Sequence, residues 1–169
     1  MPTAGSLRKR FIPALSYHVL TPLYDPIMEM LLREKTWKRR LIAAASLQEG
    51  EQVLELGCGT GTLSLMLKQQ YPQTTVVGLD ADPEVLALAR KKLASAHLEV
   101  MLDEGRATAL PYPDTSFDCV VSSLLFHHLN EEQMRNTAQE VIRVLRPGGH
   151  ILVANWDKAD THMMPLPSC

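Results

Sequence analysis

Cysteine is scarce: three occur in 169 residues, at positions 58, 119 and 169. The number is odd and the spacing matches no metal-ligand pattern, so neither a disulfide framework nor a metal site is expected, and a reducing, cytoplasmic setting follows. Aromatic residues make up only 5% of the chain. No apolar run approaches the roughly 20 residues that a membrane-spanning helix needs. An excess of charge is lacking too: 17 Lys and Arg stand against 19 Asp and Glu, for a net charge of −2. That balance argues against a generally basic nucleic-acid binder. Internal repeats and low-complexity stretches are absent, and the length and the 46% apolar content suit one globular domain.

Residues 1–24 are expected to form an N-terminal arm and 25–169 a single domain. Arg8, Lys9 and Arg10 precede an apolar stretch from Phe11 to Tyr24, but Pro13 and Pro22 break it and no small-residue cleavage site follows. A helix opens at Asp25-Pro26, with Asp25 as N-cap and Pro26 at the first helical position, and runs to about Ser46. Ile27, Leu31, Trp37, Leu41 and Ala45 share its apolar face, and the run Lys38-Arg39-Arg40 reads as solvated.

From Glu51 onward short apolar runs alternate with helical patterns, the mark of βαβ units and a parallel sheet. The pattern predicts strands at 52–56, 74–79, 98–102, 117–122 and 149–155. Helices are predicted over 60–70, over 83–96 with Asp82 as N-cap, and from an Asn130 cap to about Leu145 with Gln133 closing a capping box. Two prolines make 105–116 a loop, and Arg146-Pro-Gly-Gly149 is expected to stop the last helix and turn the chain into the final strand. Met28, Met30, Met66, Met101 and Met134 read as core filler.

The informative segment is Val53-Leu-Glu-Leu-Gly-Cys-Gly-Thr-Gly61, a buried strand ending in a glycine loop that enters a helix. In doubly wound sheets this turn faces the ligand crevice. Gly57, Gly59 and Gly61 permit close backbone approach and positive φ, although a glycine trio alone is also compatible with an unliganded tight turn. Two carboxylates sharpen the picture. Glu55 interrupts an apolar strand, where a charge needs a cationic or donor partner. Asp80, 19 residues beyond Gly61, ends the second strand, where an acid can accept from both hydroxyls of a ribose. A pyrophosphate would meet Glu55 unfavourably, and the loop spacing departs from the dinucleotide fingerprint, so a nicotinamide-dependent oxidoreductase is a minor reading. A ligand with a ribose, an ammonium and a sulfonium, as in S-adenosyl-L-methionine, suits both acids.

At this point the chain resembles the class I S-adenosylmethionine-dependent methyltransferases, especially the small-molecule group that includes the ubiquinone and menaquinone C-methyltransferases. The resemblance runs from about Gln52 to Trp156 in five blocks: Val53–Gly61, Val76–Pro83, Ala107–Asp118, Val120–Leu129 and Arg143–Asn155. It implies a Rossmann-like, doubly wound, mainly parallel α/β sheet and a small-molecule methyl acceptor. It also implies that Glu55 holds the methionine ammonium, that Gly57, Cys58, Gly59 and Gly61 line the methionyl part, that Asp80 takes the ribose and that Ala81 lies against the adenine. Arg106 and Ala107 stand beside the expected adenine site, Arg106 where the family usually has an Asp acceptor; Arg lacks acceptor capacity, so Ala107 would contribute through its backbone. Ser122 and Tyr24 complete the expected cofactor contacts.

The same resemblance implies a seven-stranded sheet, whereas only 13 residues, Asp157 to Cys169, follow Trp156. The last two strands are therefore expected to be missing, with the edge of the fifth strand left to a homodimer. Loss of that wall leaves a second reading, a catalytically impaired cofactor-binding or partner-binding protein derived from a methyltransferase. Methyl transfer needs a base only when the acceptor must lose a proton. His127, in Ser122-Ser-Leu-Leu-Phe-His-His-Leu129, is the candidate; as adjacent histidines, His127 and His128 are expected to point apart, with no third metal ligand nearby.

Overall fold

The structure, a computed structural model, describes residues 34–155. The chain divides into two units, Met1–Trp37 and Lys38–Cys169, and the account below concerns the second. The expected arm with Tyr24, the helix start at Asp25-Pro26, Met28, Met30 and the residues from Trp156 onward lie outside the described residues.

The first described helical residues run from 34 to 45, and those from Lys38 onward, within the second unit, are called α1. Then follow β1 (Gln52–Leu56), α2 (Thr62–Gln70), β2 (Thr75–Asp80), α3 (Pro83–Ser95), β3 (Met101–Glu104), β4 (Phe117–Ser123), a 3-10 turn (Phe126–His128), α4 (Glu131–Val144) and β5 (Leu145–Ala154). The five strands pair in parallel in the order β3-β2-β1-β4-β5. This is the expected Rossmann-like sheet. Its order reverses direction between β1 and β4, and ligands of open α/β sheets bind at such a switch point, outside the carboxyl ends of the strands.

The local chemistry explains most of the boundaries. The Asp82 side chain accepts from the backbone of Glu84 and Val85 ahead of Pro83. Asn130 and Gln133 form the reciprocal capping box that starts α4. The segment 105–116 stays a loop, and Arg143 of α4 secures it by donating to Tyr112 O, Leu110 O, Asp114 and Glu140, while Glu140 accepts from Leu110 N. The core lies on both faces of β1, β2 and β4. Val53, Val76, Cys119 and Val121 pack with Ile42, Ala45, Leu63 and Leu67 on one side. Leu54, Leu56, Val77, Leu79 and Val120 pack with Leu110, Phe117, Val141 and Val144 on the other.

Several expectations are corrected. Strand β3 begins at Met101, not Leu98, because pairing with Val77–Asp80 of β2 starts there and carries the acidic Asp103 and Glu104 into the strand. The Arg146-Pro-Gly-Gly149 segment does not precede the last strand but belongs to it: β5 pairs Leu145 with Phe117, then His150 with Cys119, and the extra residues form a bulge. Gly149 lets two carbonyls come close there, since a Cβ would lie 2.9 Å from both Arg146 O and Asp118 O. Met101 and Met134 are exposed rather than core filler, while Met66 packs against the core. The buried positions of α1 are Lys38, Ile42 and Ala45, so Lys38 is not part of a solvated run.

Candidate functional site

The loop after β1 is built by backbone hydrogen bonds to the end of β2. Leu79 O accepts from both Gly57 N (2.8 Å) and Cys58 N (3.0 Å), and Gly61 N donates to Cys58 O (2.9 Å). Gly57, Gly59 and Gly61 all have positive φ, at 69°, 54° and 71°. Their surroundings differ. A Cβ at Gly57 would sit 3.1 Å from Leu125 Cβ, and one at Gly61 would sit 3.1 Å from Ala89 Cβ, so both are packing glycines. At Gly59 a Cβ would meet nothing within 4 Å. Gly59 therefore presents bare backbone to open space, which is what close approach of a ligand requires.

Asp80 reaches this loop directly. Its Oδ2 accepts from Gly59 N at 2.8 Å, and its Oδ1 accepts from Asp82 N at 3.0 Å. The carboxylate thus helps hold the loop, a role its position at a strand end did not reveal. Two oxygens offer about four acceptor sites, so two remain for an incoming hydroxyl pair. Ala81, next along, is exposed.

Beneath the loop, Glu55 is 1% exposed. Its expected donor partner is already in the protein: Ser64 on α2 donates its hydroxyl to Glu55 Oε2. Burial, the largest cause, pushes the carboxyl up to about 7 against the opposing effects of the Ser64 hydrogen bond and the Lys38 charge. Ser64 and Lys38 escaped the sequence reading. Their only signals were a hydroxyl on the buried face of α2 and a cation that is in phase with Ile42 and Ala45.

The other expected contacts are placed as follows. Cys58 is buried, and burial first, then the Glu55 and Asp80 charges, raise its thiol far above the usual range, so it is an unreactive packing group. Arg106 is exposed and opens a tight turn closed by Ala109 N donating to Arg106 O, whereas Asp103 is engaged by the Tyr112 hydroxyl. Ala107, half-buried, packs against the core under β2. Ser122 is fully buried, and its hydroxyl donates to Leu56 O, which ties β4 to the strand that feeds the loop. The rings of His127 and His128 do not point apart: their centroids are 3.9 Å from each other. Lys92 of α3, also missed, donates to the hydroxyls of Thr60 and Thr62 and so braces the loop from outside.

Comparison with known proteins agrees with this geometry. A family model described as a methyltransferase domain matches residues 53–149, the span from β1 into β5. This chain belongs to the methyltransferase-domain family. A demethylmenaquinone methyltransferase from Thermus thermophilus is 38% identical over 139 residues, which cover 81% of this chain and 62% of that one. The ubiquinone/menaquinone biosynthesis C-methyltransferase UbiE from Salmonella arizonae is 29% identical over 161 residues, or 92% of this chain and 63% of that protein. The chain thus spans less than two thirds of the length of these curated relatives. Among solved structures, a SAM-dependent methyltransferase from Methanosarcina mazei is 28% identical with a TM-score of 0.62, over 66% of this chain and 55% of that one.

Proposed function

We propose that the chain binds S-adenosyl-L-methionine in the crevice outside β1 and β2 and transfers its methyl group to a small-molecule acceptor. The observation that carries this reading is Gly59. It is the loop glycine whose missing side chain leaves open space, and its N–H is held by Asp80. The donor set fits the cofactor. Glu55 offers a carboxylate for an ammonium, Asp80 keeps acceptor sites for ribose hydroxyls, and Ala81 and Ala107 offer small apolar surfaces to a base. A pyrophosphate would instead meet two acids, which disfavours a nicotinamide dinucleotide.

When bound, S-adenosylmethionine supplies a methyl group on a positively charged sulfur that departs as a neutral thioether. The protein's own task is then to bind and orient, which is where most of the acceleration of such a displacement arises. Ser64 holds Glu55 in place, and Leu125 over Gly57 together with Lys92 on Thr60 and Thr62 fixes the path of the loop. The named activities of the quinone-biosynthesis relatives favour a ring compound as acceptor, and the net charge of −2 favours a small molecule over a nucleic acid. No helix of the described residues is long and apolar enough to cross a membrane. A cytoplasmic setting belongs to the same reading, since buried thiols such as those of Cys58 and Cys119 stay reduced there. Among the described residues strand β5 stands last in the sheet order, with Val153 41% exposed, and a homodimer through that edge is part of the reading; a monomer in sedimentation at high concentration counts against it. Nothing in the crevice favours a binding-only derivative of the fold.

Calorimetric titration with S-adenosylmethionine and S-adenosylhomocysteine tests the reading. Micromolar binding that Asp80→Ala weakens supports it. A folded protein that binds neither compound overturns it.

A further inference from the structure

The turn after β4 is strained and tied to β5. Leu124, a bulky residue, sits at φ 61°, a conformation that costs free energy and that L side chains rarely adopt. Its N–H donates to Ala154 O at 2.8 Å, which joins the carboxyl ends of β4 and β5. The next residue, Leu125, lies on Gly57 of the ligand loop. The 3-10 turn Phe126–His128 follows at once, so His127 is two residues from that contact and exposed at the carboxyl end of the sheet. Its Nδ1 is 3.0 Å from Oδ1 of Asn155, the residue that follows β5. An amide oxygen only accepts, so this contact requires a proton on Nδ1, and in the neutral imidazole that leaves the lone pair on Nε2. Among the described residues Nε2 has no hydrogen-bond partner, and the His128 ring, tilted at 43°, supports one side of the His127 ring.

We propose that Asn155 is a positioning residue that fixes His127 as the Nδ1–H tautomer, so that Nε2 accepts a proton from an acceptor whose reacting atom still carries one, such as a ring hydroxyl or an enolic carbon. The proposal rests on the methyl-transfer reading above and narrows its acceptor class. In the proton-transfer step the acceptor's bond to hydrogen breaks and its electron pair stays on the acceptor. The proton passes to Nε2, and the resulting imidazolium later returns it to water. Thiolates and tertiary amines, which need no such step, would gain nothing from the pair.

The test uses the full chain with 15N-labelled histidine and long-range proton–nitrogen correlation spectra, with His127→Gln to assign the signal. The expected result is a proton on Nδ1 of His127. Asn155→Ala should lose that tautomer in favour of Nε2–H, and Asn155→Asp, which keeps an acceptor oxygen, should retain it. A proton on Nε2 in the unaltered protein, or a tautomer indifferent to Asn155→Ala, overturns the proposal. Titration with S-adenosylmethionine separates it from the reading on which it rests. The His127 ring signals should shift together with the Gly59 amide. A shift at Gly59 without one at His127 overturns the His127–Asn155 pair and leaves cofactor binding intact, and no shift at either overturns both.

Discussion

Replacement of Gly59 and Gly57 by alanine separates a ligand-facing glycine from a packing one. Both have positive φ, so alanine at either costs about 1–2 kcal/mol of folding free energy from backbone conformation alone. At Gly59 the new methyl meets nothing within 4 Å, and no further cost in the unliganded protein is expected. At Gly57 it would press on Leu125 at 3.1 Å. Overpacking of that kind adds about 1–3 kcal/mol. Urea unfolding should therefore rank the unliganded proteins as unaltered, then Gly59→Ala, then Gly57→Ala, and the melting temperature of Gly59→Ala should fall by roughly 2–8 °C. Ligand binding should behave differently. The Gly59→Ala methyl occupies the space that a ligand against this backbone must use, so the affinity for S-adenosylmethionine should drop more than about tenfold, or by at least roughly 1.4 kcal/mol. Two results would refute the reasoning: Gly59→Ala that binds with unaltered affinity, and Gly57→Ala that is no less stable than Gly59→Ala.

Three further outcomes are expected. Glu55 titrates near 7 in the folded chain against an ordinary 4.5, so the folded state holds the proton more tightly than the unfolded one. Stability from this group is greatest below the lower value, falls as pH rises through both, and is flat above, a change of roughly 3 kcal/mol; Glu55→Gln should abolish it, and a Glu55→Gln difference that is constant from pH 4 to about 8 would remove the basis of the argument. Asp80→Ala should weaken cofactor binding and also cost the unliganded protein about 1.5–3 kcal/mol, because the carboxylate holds the N–H groups of Gly59 and Asp82. Chemical denaturation without ligand checks this, and an unchanged midpoint would mean that the loop holds itself. Asn130→Ala should lower stability by about 1 kcal/mol, since it removes the acceptor for Gln133 N in the capping box that starts α4; chemical denaturation checks this, and an unchanged midpoint would mean that the cap adds nothing.

The order of elements was legible because its signals are local. Glycine, proline and capping residues stand at fixed offsets: Asp82 before Pro83, Asn130 before Gln133, and a glycine loop after an apolar strand. Periodicity alone then separates helix from strand. The errors fell where pairing overrides local preference. In β3, parallel pairing with β2 recruits two acidic residues into the strand. In β5, a Pro-Gly-Gly run that reads as a turn becomes a bulge because β4 runs alongside. Glu55, Gly57, Gly59, Gly61 and Asp80 could be named as ligand-facing candidates from type and spacing, because a charge in an apolar strand and a glycine-rich turn are rare without cause.

What the sequence could not assign was the division of labour among these residues. Linear spacing does not show that Leu125 covers Gly57 while Gly59 stays open, that Asp80 braces the loop it is placed to serve, or that Ser64 is the partner of Glu55. Nor does it bring Asn155 to His127 across 28 residues. Each of these is a contact between different elements, set by the sheet order and by the way helices cross the strands. Local propensity acts within a few residues, whereas the site's electrostatics and clearances arise only when β1, β2, β4 and β5 lie side by side.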